Sequence, residues 1–210
     1  MADEKPIFSR NTDIRKTAFL NWRISTNDDI ANLLVLADGF MSSAIIQAKA
    51  AIHDNADNKA DKIIFPILTN ANHGIELYLK AIGWILNRLN KCENRIEGKH
   101  NIDQIFRNVS GKVFKSGGLS EARYFAEKMK NLKVYLKELT TTINASEKKD
   151  KMDFSRYPID DKYNTHFYVN ELNNVEIDLV NFIERFEEIQ ENLDERAWYY
   201  YYVLEENNIL

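Results

Sequence analysis

Three residues of this 210-residue chain, His73, Glu76 and Lys80, follow one another at intervals of three and four. On a helix that spacing puts an imidazole, a carboxylate and an ammonium on one side. An imidazole beside a carboxylate can move protons, and a neighbouring lysine can hold a phosphate. The same trio equally suits a buried polar network that fixes helix register, or a solvated helix edge. Arg95 and His100, in the stretch NRIEGKHN, form a second candidate. An always-charged guanidinium near an imidazole that titrates around neutrality suits phosphodiester cleavage: one neutralises charge developing on phosphorus, the other carries a proton. His100 also reads as a capping residue for the helix that follows. The third candidate is Ser155, Arg156, Tyr157 and Pro158, a cation and a phenol ahead of a rigid proline. Arg156 is expected to pair with Glu76 and so to pin its loop onto the first candidate.

Several other chemistries lack their residues. The chain has no GxxxxGK[ST] loop, no GxGxxG turn, no HExxH helix and no GxSxG elbow, which argues against P-loop NTP hydrolysis, zinc proteolysis and α/β-hydrolase chemistry. Cys92 is the one cysteine; with no Cys or His at metal-ligand spacing it reads as structural. No metal or cofactor is expected.

The elements that must position these residues are few and long, because seven glycines and three prolines leave little material for turns. A composition 44% hydrophobic and 29% charged is ordinary for a globular domain. The opening MADEKPIFSRNTDIRK has no apolar h-region, and no uninterrupted apolar run approaches the roughly 18 residues of a membrane span. The expectation is a cytoplasmic protein without a membrane segment. The net charge of −4 hides an asymmetry: between Arg88 and Lys137 twelve Lys/Arg face five Asp/Glu, whereas between Glu171 and Glu206 eleven acids face two arginines. The basic stretch suits a polyanion; alternatively the two stretches pair with each other or with a second subunit.

Residues 1–25 lack a period and read as an irregular arm, followed by a single domain over 26–210. Thr26 to Asp29 offer capping oxygens to a first helix ending about His53, with apolar residues from Ile30 to Ile52 at three- and four-residue steps. A second helix is expected from about Ile63 to Lys91, with Pro66 in its first turn. Asn101 and Gln104 have capping-box spacing for a short third helix that Gly111 weakens or ends. A long fourth helix follows Gly117 and Gly118, carrying Ala122, Phe125, Met129, Leu132, Leu136, Leu139 and Ile143. Residues 146–170 form a long ordered loop. A last helix spans about Glu171 to Glu206 and ends in Trp198 and four tyrosines, which cannot all share one face. The fold class is therefore all-α, an up-and-down bundle of four long helices, a short helix and a long loop.

Taken together, the run FPILTNANHGIELYLKAIGWIL, the segment GKHNIDQIF and the later FSRYP resemble the HEPN superfamily of helical domains from bacterial toxin, antiphage and RNA-cutting systems. Catalytic members share an R-x(4–6)-H motif that cuts RNA without a metal, at a site usually shared across a homodimer. The resemblance places that motif on Arg95, stabilising the phosphate, and His100, acting as acid and base. It leaves His73, Glu76, Lys80, Arg156 and Tyr157 as a substrate-binding or structural polar network. Inactive relatives are also common, so the resemblance implies either a metal-independent endoribonuclease or a non-catalytic module binding RNA, a nucleotide or a protein partner.

Overall fold

Asp28 opens the first long helix: its carboxylate accepts from the Ala31 N–H at 2.9 Å and caps α1, Asp29–His53. The computed structural model describes residues 6–20, 28–92, 98, 100–144, 154–157, 159, 162–166, 168 and 175–207. Along α1, Ile30, Leu34, Ala37, Met41, Ala44, Ala48 and Ala51 are buried, as their three- and four-residue steps require. A short link containing a 3-10 turn, Ala56–Asn58, reverses the chain into α2, Lys59–Leu89, and left-handed backbone at Asp57 and Asn58 makes the reversal tight. The two helices form an αα-hairpin whose contact face is rich in alanine. At its closest point a Cβ on Gly74 would sit 2.5 Å from Met41 Cγ, so glycine there sets how near α1 and α2 approach.

α2 is the central helix and packs against α1, α3 and the last helix. Ile67, Ala71, Ile75, Tyr78, Leu79, Ala81, Ile82, Ile85 and Leu86 are fully buried. It begins earlier than the sequence suggests, and Pro66 consequently lies beyond the first turn, inside the helix. The pyrrolidine ring deprives the Lys62 carbonyl of its donor. Pro66 is exposed, so water can take the place of that donor and the helix continues.

α3, Ile102–Lys128, starts at Asn101, whose side chain accepts from the Gln104 N–H at 3.0 Å. Gly111 does not end it. The break falls at Gly118, with φ 67° and ψ −161°, a conformation that favours glycine. After Met129 the chain continues as α4, Lys130–Asn144, and the expected stripe Phe125, Met129, Leu132, Leu136, Leu139 and Ile143 is buried. The last helix, α5, runs Leu179–Glu206 and starts later than Glu171. Asp178 accepts from the N–H groups of Val180 and Asn181 and fixes the start there, leaving Val175 and Ile177 exposed ahead of it.

The tyrosine run divides as helical geometry demands: Tyr200 and Tyr201 are buried, Tyr199 and Tyr202 exposed. Tyr201 bonds Asp28, tying the end of α5 to the start of α1. Arg196 is buried with its guanidinium 4.2 Å from the Tyr199 ring and 4.9 Å from the rings of Tyr124 and Tyr200. Glu121 Oε1 accepts from both Arg196 and the Tyr200 hydroxyl, locking the segment after Gly118 onto α5. The basic and acidic stretches pair only in part. Lys128 meets Glu195 at 2.5 Å, but Arg185 and Arg196 of the acidic helix reach back to Glu138 and Glu121. The molecule is an all-α helical bundle; between α4 and α5, Ile159 and Thr165 form an isolated antiparallel bridge.

Candidate functional site

Thr69, His73, Glu76 and Lys80 lie on one face of α2, since steps of four, three and four return to within about 40° of the same direction at 100° per residue. This face is a polar line along a helix whose other sides are largely apolar, apart from the helix ends and residues such as Asn72, which accepts from the Tyr135 hydroxyl at 2.7 Å. Glu76 is its hub. One oxygen, Oε1, lies 2.8 Å from Lys80 Nζ and 2.9 Å from His100 Nδ1. The Glu76 and Lys80 side chains are only 12% and 9% exposed, while that of His100 is 79% exposed. The backbone just before α3, anchored by the Asn101 cap, delivers His100 to α2. His100 therefore does not cap α3; Asn101 does.

The loop reaches the other end of the line. The Thr69 hydroxyl is 2.9 Å from the Phe65 carbonyl, 3.0 Å from Ser155 Oγ and 3.1 Å from the Ser155 carbonyl. Phe154 and Ser155 are buried against α2, and farther on fully buried His166 stacks with Tyr168, which meets Phe65. Arg156 and Tyr157 remain exposed, the guanidinium 6.0 Å from the Tyr157 ring. Among the described residues the ion pairs of Glu76 are with Lys80 and His100, and the expected pairing of Glu76 with Arg156 is not among them. Tethering by Thr69 and Ser155, not an ion pair to Glu76, brings Arg156 to the site. His73 senses all of these charges. Burial is the largest influence and holds its imidazole below the usual range; Glu76 opposes this, while Arg156, Lys80 and His100 reinforce it. The ring also meets the edge of Phe40 on α1 at 4.5 Å.

The structure thus merges candidates that are separate in sequence: the helix stripe, His100 and Arg156 form one cluster. Arg95 and Pro158 lie outside the described residues. With both imidazoles neutral, Lys80 and Arg156 outnumber Glu76, so the cluster carries net positive charge. Farther along the same face Gly83 leaves room for Lys112, whose Nζ is 3.8 Å from where a Cβ on Gly83 would lie. Thr69 was visible in the sequence as an extension of the stripe by four residues; Lys112, on another helix, had no such signal. Among the described residues no group of three or more His, Cys, Asp or Glu side chains is arranged to hold a metal.

The chemistry available is that of an oriented imidazole. A carboxylate that accepts from Nδ1–H fixes the tautomer and leaves Nε2 with its lone pair, open to accept and return a proton. Cations beside it can hold an anionic group. Compared with known proteins, the chain matches no family model, no curated protein and no solved structure.

Proposed function

We propose that the chain is a HEPN-like metal-independent endoribonuclease, acting in a toxin or antiphage system, whose site is the cluster around Glu76. The observation that carries this reading is the Glu76–His100 contact: a mostly buried carboxylate holding an exposed imidazole by Nδ1, with Lys80 on the same helix face and the charge of Arg156 close enough to act on His73. His100 Nε2 takes the proton of an RNA 2′-hydroxyl; the 2′-oxygen attacks phosphorus and the P–O5′ bond breaks. The proton returned to the 5′-oxygen completes the reaction and leaves a 2′,3′-cyclic phosphate. Arg156, and Arg95 by the resemblance, neutralise charge on the phosphoryl oxygens.

The test is incubation of the pure protein with mixed RNAs in EDTA, with mass analysis of the product ends. Cleavage to 2′,3′-cyclic ends that disappears in His100→Ala, a change at an exposed position, supports the reading. An inert wild type, or an active His100→Ala, overturns it. A second reading has its own support: Lys80 and Glu76 satisfy each other without any ligand, as a purely structural network would. A non-catalytic module would bind RNA with an affinity that falls steeply with salt and would leave the RNA intact.

A further inference from the structure

From Leu77 to Cys92 the chain carries no Asp or Glu, and α3 carries none from Gln104 to Ser120. Those two stretches lie side by side. Lys112 Nζ and Val109 Cγ2 sit 3.8 and 3.4 Å from where a Cβ on Gly83 would be, the Asn90 amide donates to the Lys112 carbonyl at 3.4 Å, and Lys115 Nζ reaches Cys92 Sγ at 3.3 Å. Part of the basic stretch of the sequence is thereby gathered into a seam that starts at the Glu76 cluster. On α2 and its end, Lys80, Arg88 and Lys91 recur on a single stripe. Left-handed backbone at Lys91, φ 52°, and the Cys92 N–H, which donates to the Asn87 carbonyl at 2.8 Å, close the helix there. Lys112 and Lys115 line the edge of α3. Lys80 has Glu76, and Arg88 lies over the Trp84 ring at 5.3 Å. Lys91, Lys112 and Lys115 meet no carboxylate among the described residues. Lys112 is half-buried, and a cation taken out of water without an anion is costly. The two buried cations, Lys80 and Arg196, have carboxylates of their own; Lys112 calls for an anion that the fold does not supply.

We propose that this seam is a track for an RNA strand, binding the phosphates on one side of the bond presented to His100 and so setting how long a substrate must be. The groups around Glu76 act on one phosphodiester; the seam holds its neighbours. Such a track rests on the reading that RNA is what reaches the Glu76 cluster, so binding is measured apart from cleavage. Two features favour a nucleic-acid backbone as the occupant. An ammonium is a compact point charge that takes a phosphate in any orientation, whereas bidentate recognition of a carboxylate suits the planar fork of arginine. The cations without carboxylates are all lysines. They also form a row, as the phosphates of a strand do, and a row of cations beside a single groove follows one backbone. Contacts of this kind fix register along the strand and carry no sequence information. From Glu76 to Cys92 the helical rise amounts to about 24 Å, which spans up to about seven nucleotides at roughly 3.4 Å each.

The test is the affinity of the full chain for 2′-O-methyl oligouridines, whose blocked 2′-oxygen prevents cleavage, over lengths of about 4 to 16 nucleotides. Wild-type affinity should rise with length and level off near about ten nucleotides, the seam together with those at the cluster. Lys112→Gln/Lys115→Gln should bring that plateau to shorter lengths. It should also weaken the longer oligonucleotides about tenfold or more at about 50 mM salt and reduce the steepness of log affinity against log salt by about 1.4, two contacts at about 0.7 each. Lys91→Gln/Lys115→Gln, at two exposed positions, should act in the same direction, both pairs with unchanged helical circular dichroism. Lys133→Gln/Lys137→Gln removes the same charge from exposed positions on α4, whose Asn131 and Glu138 meet α5, and should leave affinity nearly unchanged. Seam pairs that bind like the wild type, or an α4 pair that binds as weakly as they do, overturn the track. So does polyglutamate competing as well as RNA of equal charge, which would make an acidic protein the occupant. Wild-type protein that binds through the seam and never cuts keeps the track and sinks the ribonuclease; RNA cut by the wild type and bound as tightly by the seam pairs does the reverse.

Discussion

Replacing Glu76 by Gln keeps the shape of the side chain and removes the charge on which Lys80 and His100 converge. Lys80 Nζ lies 2.8 Å from that carboxylate with its side chain 9% exposed, so the substitution strands a mostly buried ammonium. Removing one partner of a buried pair costs about 3–5 kcal/mol. This pair sits at the edge of the bundle, where water reaches part of it, and about 2–3 kcal/mol is expected. For a chain of this size that corresponds to a fall in Tm of about 4–12 °C, readable by calorimetry and by urea titration with an unchanged slope. Lys80→Met should cost less, about 1 kcal/mol or under, because Glu76 keeps His100 as a partner and the apolar chain fills the same space. In the Glu76→Gln/Lys80→Met double variant most of the loss should be recovered, since no ammonium is left unpaired. A Tm within about 1 °C of wild type for Glu76→Gln, or a double variant as unstable as the two losses summed, would refute the claim that Glu76 holds Lys80.

Two further expectations concern stability. The His73 imidazole is depressed in the fold by burial first, so the native state favours its neutral form. Its contribution is full above the unfolded value of about 6.5 and is lost as pH falls toward the lower folded value. Urea midpoints should therefore drop as pH falls below about 6.5, and His73→Gln should flatten that slope; stability rising on acidification below that pH would contradict it. Gly74→Ala pushes a Cβ to 2.5 Å from Met41 Cγ and 3.0 Å from the Met41 backbone nitrogen. The side chain can move but the backbone cannot, so a loss of about 1–3 kcal/mol is expected despite the better helix propensity of alanine. Gly111→Ala, which meets nothing within 4 Å, should gain about 0.5–1 kcal/mol by thermal melting.

What the sequence made legible follows from how local each signal is. The start of α1, the Asn101 cap and the break at Gly118 are decided by side chains within a few residues of the feature, and each lies where the local pattern puts it. Pro66 misled because the rule against interior proline depends on whether the orphaned carbonyl reaches water, which only the packed helix decides. The start of α5 misled for a different reason: Leu172 and Val175 fit the apolar period, but Asp178 caps the helix by accepting from the N–H groups of Val180 and Asn181, and Val175 lies exposed ahead of it. At the site, the spacing of His73, Glu76 and Lys80 placed them on one face. Which partner Glu76 takes was decided by the backbone before α3 and by the Thr69–Ser155 tether, contacts between segments far apart in the chain.

The two partners of Glu76 make structure and chemistry separable. Lys80 is buried and His100 is 79% exposed. Exposed ion pairs are worth about 1 kcal/mol or less, so nearly all the stabilisation by Glu76 passes through Lys80. Removing His100 should then leave the fold almost untouched, and a lost activity in His100→Ala cannot be put down to unfolding. Conversely, Lys80→Met keeps the carboxylate that orients His100 and should retain the imidazole geometry while lowering the local positive charge. If the cluster cleaves RNA, Lys80→Met weakens binding more than turnover, whereas His100→Ala abolishes turnover and spares binding. A structural network alone predicts no such split, because neither change would then alter anything but stability.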